Sequence, residues 1–276
     1  MIIFQNRFMD REEAKVDMED RGYQFGDGVY EVFRIYDGAL FDFDNHLDRL
    51  VSSAQKIRIE LPLSLNEIKK MLMGLVKENS LVNGTLYVQV TRGVANRTHH
   101  FPEHPKALLT AYTKQSERPF ETTNKGIQTI LMDDIRWLRC DIKSINLLPN
   151  VLAKQTAKEQ GCKEAIFHRD GIVTEGSSSN VFIINGNDLQ THPANNLILN
   201  GITRRNIIGL ASGLGLNVKE KPYGVEDLLA SDEVFVTSTT LEVSPVIGID
   251  STVIADGQPG PVTRKLQERF EGRVLG

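Results

Sequence analysis

The sequence has few of the features that assign a protein to a class at once. Its 276 residues include only two cysteines, Cys140 and Cys162, which are too few for a secreted disulfide framework and lack the spacing of a zinc site. No apolar run approaches the ~20 residues needed to span a bilayer. The N-terminus, MIIFQNRFMDREE, does not resemble a signal peptide. These absences favour a cytoplasmic protein without a membrane partner.

An excess of basic charge is also absent. Lys and Arg together number 32 and Asp and Glu 36, so the net charge is −4, whereas nucleic-acid-binding proteins usually carry a basic excess or stripe. The G-x-S-x-G, P-loop and G-x-G-x-x-G motifs do not occur either. We therefore expect no nucleic-acid partner. Because the common hydrolase and nucleotide-binding motifs are absent, the sequence gives no support to those functions either.

What is present is ordinary globular composition, 40% hydrophobic and 25% charged. A chain of this length is better explained by two domains than by one. The segment Lys114–Lys125 is polar, contains Pro119 and has little periodicity, so it is the predicted linker. We accordingly expect domains at residues 1–118 and 119–276.

Apolar periodicity and turn residues predict many strands with helices interspersed among them. Because there is no strict β-α-β alternation, an α+β fold is favoured over a doubly wound sheet. In the first half the predicted elements are two strands within Gly28–Phe43 joined at Asp37-Gly38, a helix from an Asp44 N-cap to Lys56, a helix behind a Ser64–Glu67 capping box, and strands in TLYVQVTRG and ALLTAYT. In the second half they are a strand at Ile127–Met132, a helix near Pro149, four strands within residues 164–192, helices at Thr203–Ser212 and Val225–Ala230, strands in DEVFVTST and VSPVIGID, and a helix from Val262.

Lys143 stands among apolar residues in DIKSINLL, in a short β-like run that leads into a buried-looking helix. The simpler interpretation is a lysine whose ammonium reaches solvent. The alternative is a desolvated lysine, because burial disfavours the charged form and leaves a neutral amine of the kind that forms Schiff bases. Arg136 and Arg139 would favour the neutral amine further if they lie close.

Glu175 ends a predicted strand in VTEGSSSNVF. The three serines that follow are typical of a polar hairpin turn. That turn is the default interpretation, and the alternative is a carboxylate held on a rigid strand end with hydroxyls beside it. One task of such a carboxylate is to keep a pyridine nitrogen protonated.

LNGITRRN contains the opening of a helix at Gly201-Ile202-Thr203. The free backbone N–H groups of a first helical turn bind phosphate readily, although an ordinary helix start explains the pattern as well. A second hydroxyl cluster, Thr237–Thr240, lies at a strand end, where serine and threonine usually form turns.

RGVANRTHHFPEH contains three of the six histidines, His99, His100 and His104. Prolines interrupt the stretch, so no helical pair of metal ligands is expected and we predict no metal site. Arg97 and His99 alternate, so in an extended loop they face the same side and suit a carboxylate. A solvated basic loop is the alternative.

Together and in this order, these segments resemble the fold-type IV pyridoxal-phosphate enzymes, the family of branched-chain and D-amino acid aminotransferases and aminodeoxychorismate lyase. The resemblance covers nearly the whole chain and is closest to the D-amino acid aminotransferase branch, on Arg97-x-His99 and Tyr30. The matching segments are RGYQFGDGVYE, HLDRL, DIKSINLL, VTEGSSSNVF, LNGITR and DEVFVTSTT. The resemblance implies a small N-terminal α/β domain, a larger C-terminal barrel-like domain and a homodimer.

The resemblance also implies roles for individual residues. Lys143 would hold pyridoxal 5′-phosphate as a Schiff base and move a proton between the substrate Cα and the cofactor, and Glu175 would pair with the pyridine nitrogen. The residues implied at the phosphate and ring face are Arg49, Ile202, Thr203, Ser238 and Thr239, with Leu199 on the ring. The substrate α-carboxylate would be bound by Tyr30 together with the partner subunit's Arg97 and the partner subunit's His99.

The function so implied is transamination of D-amino acids, such as D-alanine, with 2-oxoglutarate, giving a 2-oxo acid and D-glutamate. Alternatives of the same fold are a branched-chain L-amino acid or (R)-amine transaminase and aminodeoxychorismate lyase. Arg97-x-His99 argues against the L-amino acid and amine alternatives. A non-catalytic binder would be expected to lack Lys143 or Glu175, and both are present.

Overall fold

The computed structural model describes residues 1–275 and divides into two compact units. The first comprises Met1–Arg118 together with Ile142–Asn146, and the second comprises Pro119–Asp141 and the chain from Leu147 onwards. The segment that carries Lys143 thus groups with the first unit, although a single boundary after residue 118 would assign it to the second. The division into domains at 1–118 and 119–276 stays a prediction.

One antiparallel sheet organises the first unit. Its elements in chain order are β1 (Ile2–Phe4), β2 (Arg7–Met9), a 3-10 turn (Arg11–Glu13), α1 (Arg21–Phe25), β3 (Gly28–Tyr36), β4 (Ala39–Leu40), α2 (Phe43–Lys56), α3 (Leu65–Glu78), β5 (Gly84–Thr91) and β6 (Leu108–Gln115). The strands are ordered β2-β1-β6-β5-β3-β4, and every neighbouring pair is antiparallel.

The core of the first unit lies between this sheet and the helices α2 and α3. Side chains alternate between the two faces of a strand, so Phe33 and Ile35 of β3 share one face, and both are fully buried. They belong to one apolar cluster with Leu47 of α2 and Leu72 of α3. Each such buried side chain stabilises the fold by about 1.5–3 kcal/mol. The opposite face of β3 carries Tyr30.

The second unit is built on a larger mixed sheet. Its elements are α4 (Phe120–Lys125), β7 (Ile127–Asp133), α5 (Leu148–Glu159), β8 (Glu164–Arg169), β9 (Ile172–Gly176), β10 (Asn180–Asn185), β11 (Asp188–Thr191), α6 (Ile202–Gly213), β12 (Asn217–Glu220), α7 (Val225–Leu229), β13 (Glu233–Ser238), β14 (Glu242–Ile249), β15 (Thr252–Val253) and α8 (Pro261–Leu275). The strand order is β12-β11-β10-β13-β14-β7-β8-β9, with β15 paired to β14.

The larger sheet is curled. β9 is the last strand of the hydrogen-bonded path, whereas β10 lies near its other end. Nevertheless only residues 177–179 join the two strands, and the Gly176 N–H donates to the Ser179 carbonyl at 2.7 Å. The sheet must therefore bend round to bring β9 beside β10. The second unit contains two parallel β-α-β units, β7-α5-β8 and β11-α6-β12, but no strict alternation along the chain. This mixture confirms the predicted α+β class, and the bend gives the second unit the expected barrel-like character.

Most predicted elements are present. The hairpin turns at Asp37-Gly38 between β3 and β4, the capping box of Ser64 and Glu67 begins α3, and the four strands predicted within residues 164–192 are β8 to β11. The helix predicted at Thr203 is α6, which begins one residue earlier. Among residues 1–275, no helix is long and apolar enough to cross a membrane.

Other expectations about the elements were wrong. The proposed linker is mostly structured, because residues 114 and 115 end β6 and Phe120–Lys125 forms α4. α2 begins at Phe43 rather than behind Asp44, since Asp42 adopts a left-handed conformation (φ 51°) at the N-cap and accepts a hydrogen bond from Asn45 Nδ2 at 3.1 Å. β1, β2, α1, α4, β12 and β15 were not predicted.

The helix after Lys143 also differs from expectation. α5 was predicted to be buried, but only its alanines Ala153 and Ala157 are buried, while Leu148, Val151 and Leu152 are exposed. The stretch before it is irregular rather than a β-like run, apart from an isolated bridge that pairs Ser144 with Val29.

Candidate active site

In the first unit, Lys143 is held by its backbone against β3 and α2. Its carbonyl accepts the Tyr30 N–H at 3.0 Å, and its own N–H donates to Ser53 Oγ at 3.2 Å. The half-buried side chain places Nζ 4.2 Å from the centre of the Tyr30 ring. The amine is therefore neither a freely solvated surface group nor part of the apolar core, and its main chain is fixed at two points.

A buried carboxylate, Glu31, fixes Arg49 in the same unit. Arg49 Nε donates to Glu31 Oε1 at 2.5 Å and Nη2 donates to Oε2 at 3.0 Å, while His46 Nδ1 lies 2.8 Å from Oε2. His46, Arg49 and Ser53 stand at positions i, i+3 and i+7 of α2, so they share one helical face. The sequence therefore directs a row of polar side chains from α2 toward β3.

The protonation states in this cluster follow from its geometry. Burial acts to raise the pKa of Glu31, but Arg49 and His46 outweigh it and hold that pKa well below its usual range. Burial lowers the pKa of His46 despite the carboxylate beside it. Near neutral pH we therefore expect an anionic Glu31 that fixes the Arg49 guanidinium, and a neutral His46 whose Nδ1–H donates.

The Arg97–His99 loop is exposed in the first unit. Arg97 lies over the Phe25 ring, 5.1 Å from its centre, and the centres of the His99 and Phe25 rings are 5.7 Å apart. Both side chains thus lie on one side of the loop. Arg21 Nη1 donates to the Thr98 carbonyl at 2.7 Å and anchors the loop between them.

In the second unit, Glu175 is a buried carboxylate surrounded by donors. Arg136 Nη1 donates to Oε1 at 2.6 Å. Asn180 Nδ2 and the Leu199 N–H each donate to Oε2 at 3.0 Å. Burial raises the pKa of Glu175 above its ordinary value, and Arg136 opposes that rise. The strand end therefore does present a rigid carboxylate, as expected from the sequence.

The hydroxyls of the serines after Glu175 do not donate to Glu175. The hydroxyls of all three donate to a different buried carboxylate, Glu164 of β8, those of Ser178 and Ser179 at 2.9 and 3.0 Å. The expectation of hydroxyls beside Glu175 was wrong, because the tight return from β9 to β10 turns these side chains toward β8. Glu164 fixes the loop that links Glu175 to Asn180.

The first turn of α6 has no side-chain cap. Its N-cap, Gly201, provides no side-chain hydrogen bond, and the first N–H groups of any helix lack internal acceptors. A side chain at Gly201 would collide with Asn180, whose Oδ1 lies where a Cβ would stand. Glycine is thus required where Asn180 approaches. That the N–H groups of Ile202 and Thr203 bind a phosphate stays a prediction.

Asn180 connects the parts of this second-unit site. Its Nδ2 binds both Glu175 and the Leu199 carbonyl, the latter at 2.8 Å. It stands opposite Thr237 in the β10–β13 pairing, and the buried Thr237 hydroxyl has no hydrogen-bond partner among the described residues. The half-buried Ser238 and Thr239 follow. An unpaired hydroxyl, a free helix start and a buried carboxylate fit a ligand with both a phosphate and a nitrogen ring.

Several residues of the site were not identified from the sequence. Arg136 and Asn180 lie inside the segments singled out, but nothing in the sequence connects them to Glu175. Glu31 follows Tyr30 in GDGVYE, and its contacts with His46 and Arg49 cross from a strand to a helix. The available sequence signal for such residues was a carboxylate in an otherwise apolar strand, as at Glu31 and Glu164.

We expect Arg49→Ala to weaken binding of the predicted cofactor by roughly 1.5–3 kcal/mol, the usual scale of a hydrogen bond between charged groups. Equilibrium dialysis of the phosphorylated cofactor against the apoprotein measures this loss. Unaltered affinity would exclude Arg49 from the phosphate site.

That measurement needs a control, since Arg49→Ala also leaves Glu31 buried without its cation. Breaking such a pair commonly destabilises a protein by ~3–5 kcal/mol. The double variant Glu31→Gln/Arg49→Ala removes both charges. It should regain thermal stability while the loss of cofactor affinity persists.

Comparison with known proteins supports the same interpretation. The family model for class IV amino-transferases matches residues 28–249. The chain is 50% identical over 274 residues to the D-alanine aminotransferase of Bacillus licheniformis, covering 99% of this chain and 97% of that protein. It is 48% identical over 277 residues to the D-alanine aminotransferase of Listeria monocytogenes serotype 4b, covering 99% and 96%.

Solved structures agree with the fold. The branched-chain amino acid aminotransferase of Escherichia coli superposes with a TM-score of 0.92 at 27% identity, covering 98% of this chain and 93% of that one. The branched-chain aminotransferase of the archaeon Thermoproteus uzoniensis, solved with norvaline, gives a TM-score of 0.88 at 29% identity, covering 100% and 94%. The chain belongs to the class IV aminotransferases.

Proposed function

We propose that this protein is a pyridoxal-phosphate-dependent transaminase of D-amino acids. It transfers the amino group of substrates such as D-alanine to 2-oxoglutarate, giving a 2-oxo acid and D-glutamate. The observation that carries the proposal is 50% identity to a D-alanine aminotransferase over nearly the full length of both chains. The geometry around Lys143 and Glu175 is consistent with that chemistry.

Each cofactor contact is assigned to a feature described above. Glu175 would accept a hydrogen bond from the ring nitrogen, the N–H groups of Ile202 and Thr203 would hold phosphate oxygens, and Leu199 would contact the ring. The further phosphate contacts are assigned to Arg49, Ser238 and Thr239. When bound, pyridoxal 5′-phosphate supplies an electron-withdrawing ring that stabilises negative charge at the substrate Cα.

Lys143 carries the cofactor and acts as the base. An amine can take the Cα proton only in its neutral form. The Tyr30 ring beside Nζ limits the directions in which the amine can move. Main-chain hydrogen bonds on both sides of the residue fix the origin of the side chain, so the proton is removed from one face of the substrate.

The proposed substrate contacts involve a second copy of the chain. Tyr30, with the partner subunit's Arg97 and the partner subunit's His99, binds the α-carboxylate in a homodimer. Support comes from the exposure of this loop and from the position of Arg97 and His99 on one side of it. A carboxylate fixed in one place leaves only one enantiomer with its Cα–H toward Lys143, so the position of the carboxylate site selects D-amino acids.

A direct assay tests the reaction. Purified protein with 2-oxoglutarate should consume D-alanine and form pyruvate, while L-leucine should react poorly. Preference for L-leucine would replace the proposal by a branched-chain transaminase. Pyruvate released from aminodeoxychorismate, without an amino acceptor, would replace it by a lyase.

Arg97→Ala should raise KM for D-alanine and have a smaller effect on a simple amine, which has no carboxylate to bind. The physical reason is the loss of one cationic donor to the α-carboxylate, which is worth roughly tenfold or more in affinity. Steady-state kinetics on both substrates measures the difference. Arg118→Ala, at another arginine of the first unit, is the control and should leave both KM values unchanged.

Mixed dimers test whether the loop acts across the interface. Arg97→Ala and Lys143→Ala proteins should each be weak or inactive. After subunit exchange, the Arg97→Ala protomer keeps its Lys143 and receives the partner's Arg97, so one good site per mixed dimer should return. Absence of recovery in dimers shown to exchange would place Arg97 outside the neighbouring site.

A further inference from the structure

The hydrogen bonds of Glu175 leave one acceptor position unfilled. An ionised carboxylate has about four lone-pair positions, two on each oxygen. Oε2 receives two donors, Asn180 Nδ2 and the Leu199 N–H. Oε1 receives only Arg136 Nη1. Within residues 1–275 the carboxylate therefore keeps one open position, on the same oxygen that Arg136 binds.

Arg136 is held rigidly in the position where it meets Glu175. On its other side it binds Asp134 twice, through Nε to Oδ1 and through Nη2 to Oδ2, both at 2.8 Å. Its guanidinium lies over the Phe167 ring, 4.8 Å from the centre. A planar guanidinium gripped in this way cannot turn without breaking a buried pair. It therefore fixes the orientation of the Glu175 carboxylate.

The negative charges of Glu175 and its neighbour Asp134 are balanced by positive charge only because Arg136 is present. Asp134 is a second buried carboxylate, and it also receives Arg169 Nε at 3.2 Å. The Cys140 thiol is neutral near pH 7, because burial raises its pKa to about 11. Two carboxylates thus face two guanidinium groups. Of the two cations, only Arg136 is bonded to Glu175 directly.

We propose that Arg136 is a positioning residue for the reaction. It holds Glu175 as an anion whose single open acceptor position selects a protonated ring nitrogen. The inference rests on the proposed function for the presence of the cofactor. Burial alone favours a neutral carboxyl at this depth, and a neutral carboxyl would compete with the ring nitrogen for the proton. Arg136 lowers the proton affinity of Glu175 and leaves the proton on the ring.

The test removes the charge and follows the ring proton itself. In Arg136→Met protein loaded with ¹⁵N-labelled pyridoxal 5′-phosphate, the ring-nitrogen chemical shift should move from the protonated value toward that of a neutral pyridine. Arg136→Lys retains a charge with fewer donors and should fall between Met and wild type. Arg169→Met, which removes a cation that touches Asp134 but not Glu175, should keep the wild-type shift.

Kinetics supply a second readout. Arg136→Met should lower kcat for D-alanine by about 10–100-fold, the scale of one hydrogen bond between charged groups, with KM changed much less. In the double variant with Glu175→Gln, the loss should be no greater than for Glu175→Gln alone, because Arg136 acts through Glu175. A purely structural role would lower stability and kcat without moving the ¹⁵N shift.

The outcomes separate the two proposals. If wild-type protein does not bind pyridoxal 5′-phosphate or transaminate D-alanine, the proposed function fails. If wild-type protein does both and Arg136→Met leaves the ¹⁵N shift unchanged, or Arg169→Met changes it equally, only the inference about Arg136 fails. Should Arg136→Met fold poorly because Asp134 loses its partner, Asp134→Asn/Arg136→Met removes both charges and is judged by the same shift.

Discussion

Lys143→Ala is expected to abolish nearly all turnover, with a loss of at least ~10²–10⁴-fold from the missing acid–base group alone. The covalent attachment of the cofactor disappears with the same amine, so the true loss should exceed that range. The backbone contacts of Lys143 with Tyr30 and Ser53 do not involve the side chain. The fold should therefore survive, and thermal stability should change little.

Chemical labelling identifies the lysine independently of rate. Wild-type protein should purify yellow, and borohydride reduction followed by peptide mass mapping should place the label on Lys143. Lys125→Ala is a suitable control, since Lys125 is exposed and pairs with the exposed Glu121 one turn earlier in α4. It should retain colour, label and rate. A label on a different lysine in the wild-type protein would contradict the assignment.

Glu175→Gln is expected to slow the chemical step by ~10²–10³-fold, the usual effect of removing one well-placed electrostatic partner. In Glu175→Gln, the new NH₂ group must face another hydrogen-bond donor, because Arg136 donates at one oxygen position and Asn180 donates at the other. Single-turnover kinetics measures the step directly. Cofactor affinity should stay close to wild type, because the phosphate contacts do not depend on Glu175.

Glu175→Asp provides the matched control. It keeps the charge and withdraws the carboxylate by one methylene, so its loss should be smaller than that of Glu175→Gln. If turnover is unchanged in Glu175→Gln while the cofactor dissociates, Glu175 has a binding role only.

Local patterns accounted for much of the fold. The capping box of Ser64 and Glu67, the Asp37-Gly38 turn and the short apolar strands of residues 164–192 each depend on neighbours in sequence, and all are present. The misplaced start of α2 has a comparable origin, because a left-handed Asp42 has no distinctive sequence signal. The short strands β12 and β15 depend on pairing partners that periodicity does not reveal.

The candidate site was less predictable, because its contacts join distant parts of the chain. Lys143 and Glu175 were identified by a resemblance in ordered motifs rather than by their surroundings. Arg136 donates to Glu175 across a sequence separation of 39 residues. The serine hydroxyls donate to Glu164 across separations of 13 to 15 residues. A buried ion pair leaves no periodic trace in sequence, so these partners required the three-dimensional structure.

The discontinuity of the first unit limits how the protein can be recombined. Residues 1–118 end before Ile142–Asn146, the five-residue segment that groups with them and carries Lys143. A crossover near residue 118, in evolution or in a chimera library, would therefore replace Lys143 and its flanks by those of another parent. The Tyr30 and Gly28 backbone groups that meet Lys143 and Ile145 would then face a foreign loop. The parents of a chimera must therefore have compatible sequences in Ile142–Asn146. The first unit depends on a segment that residues 1–118 do not encode.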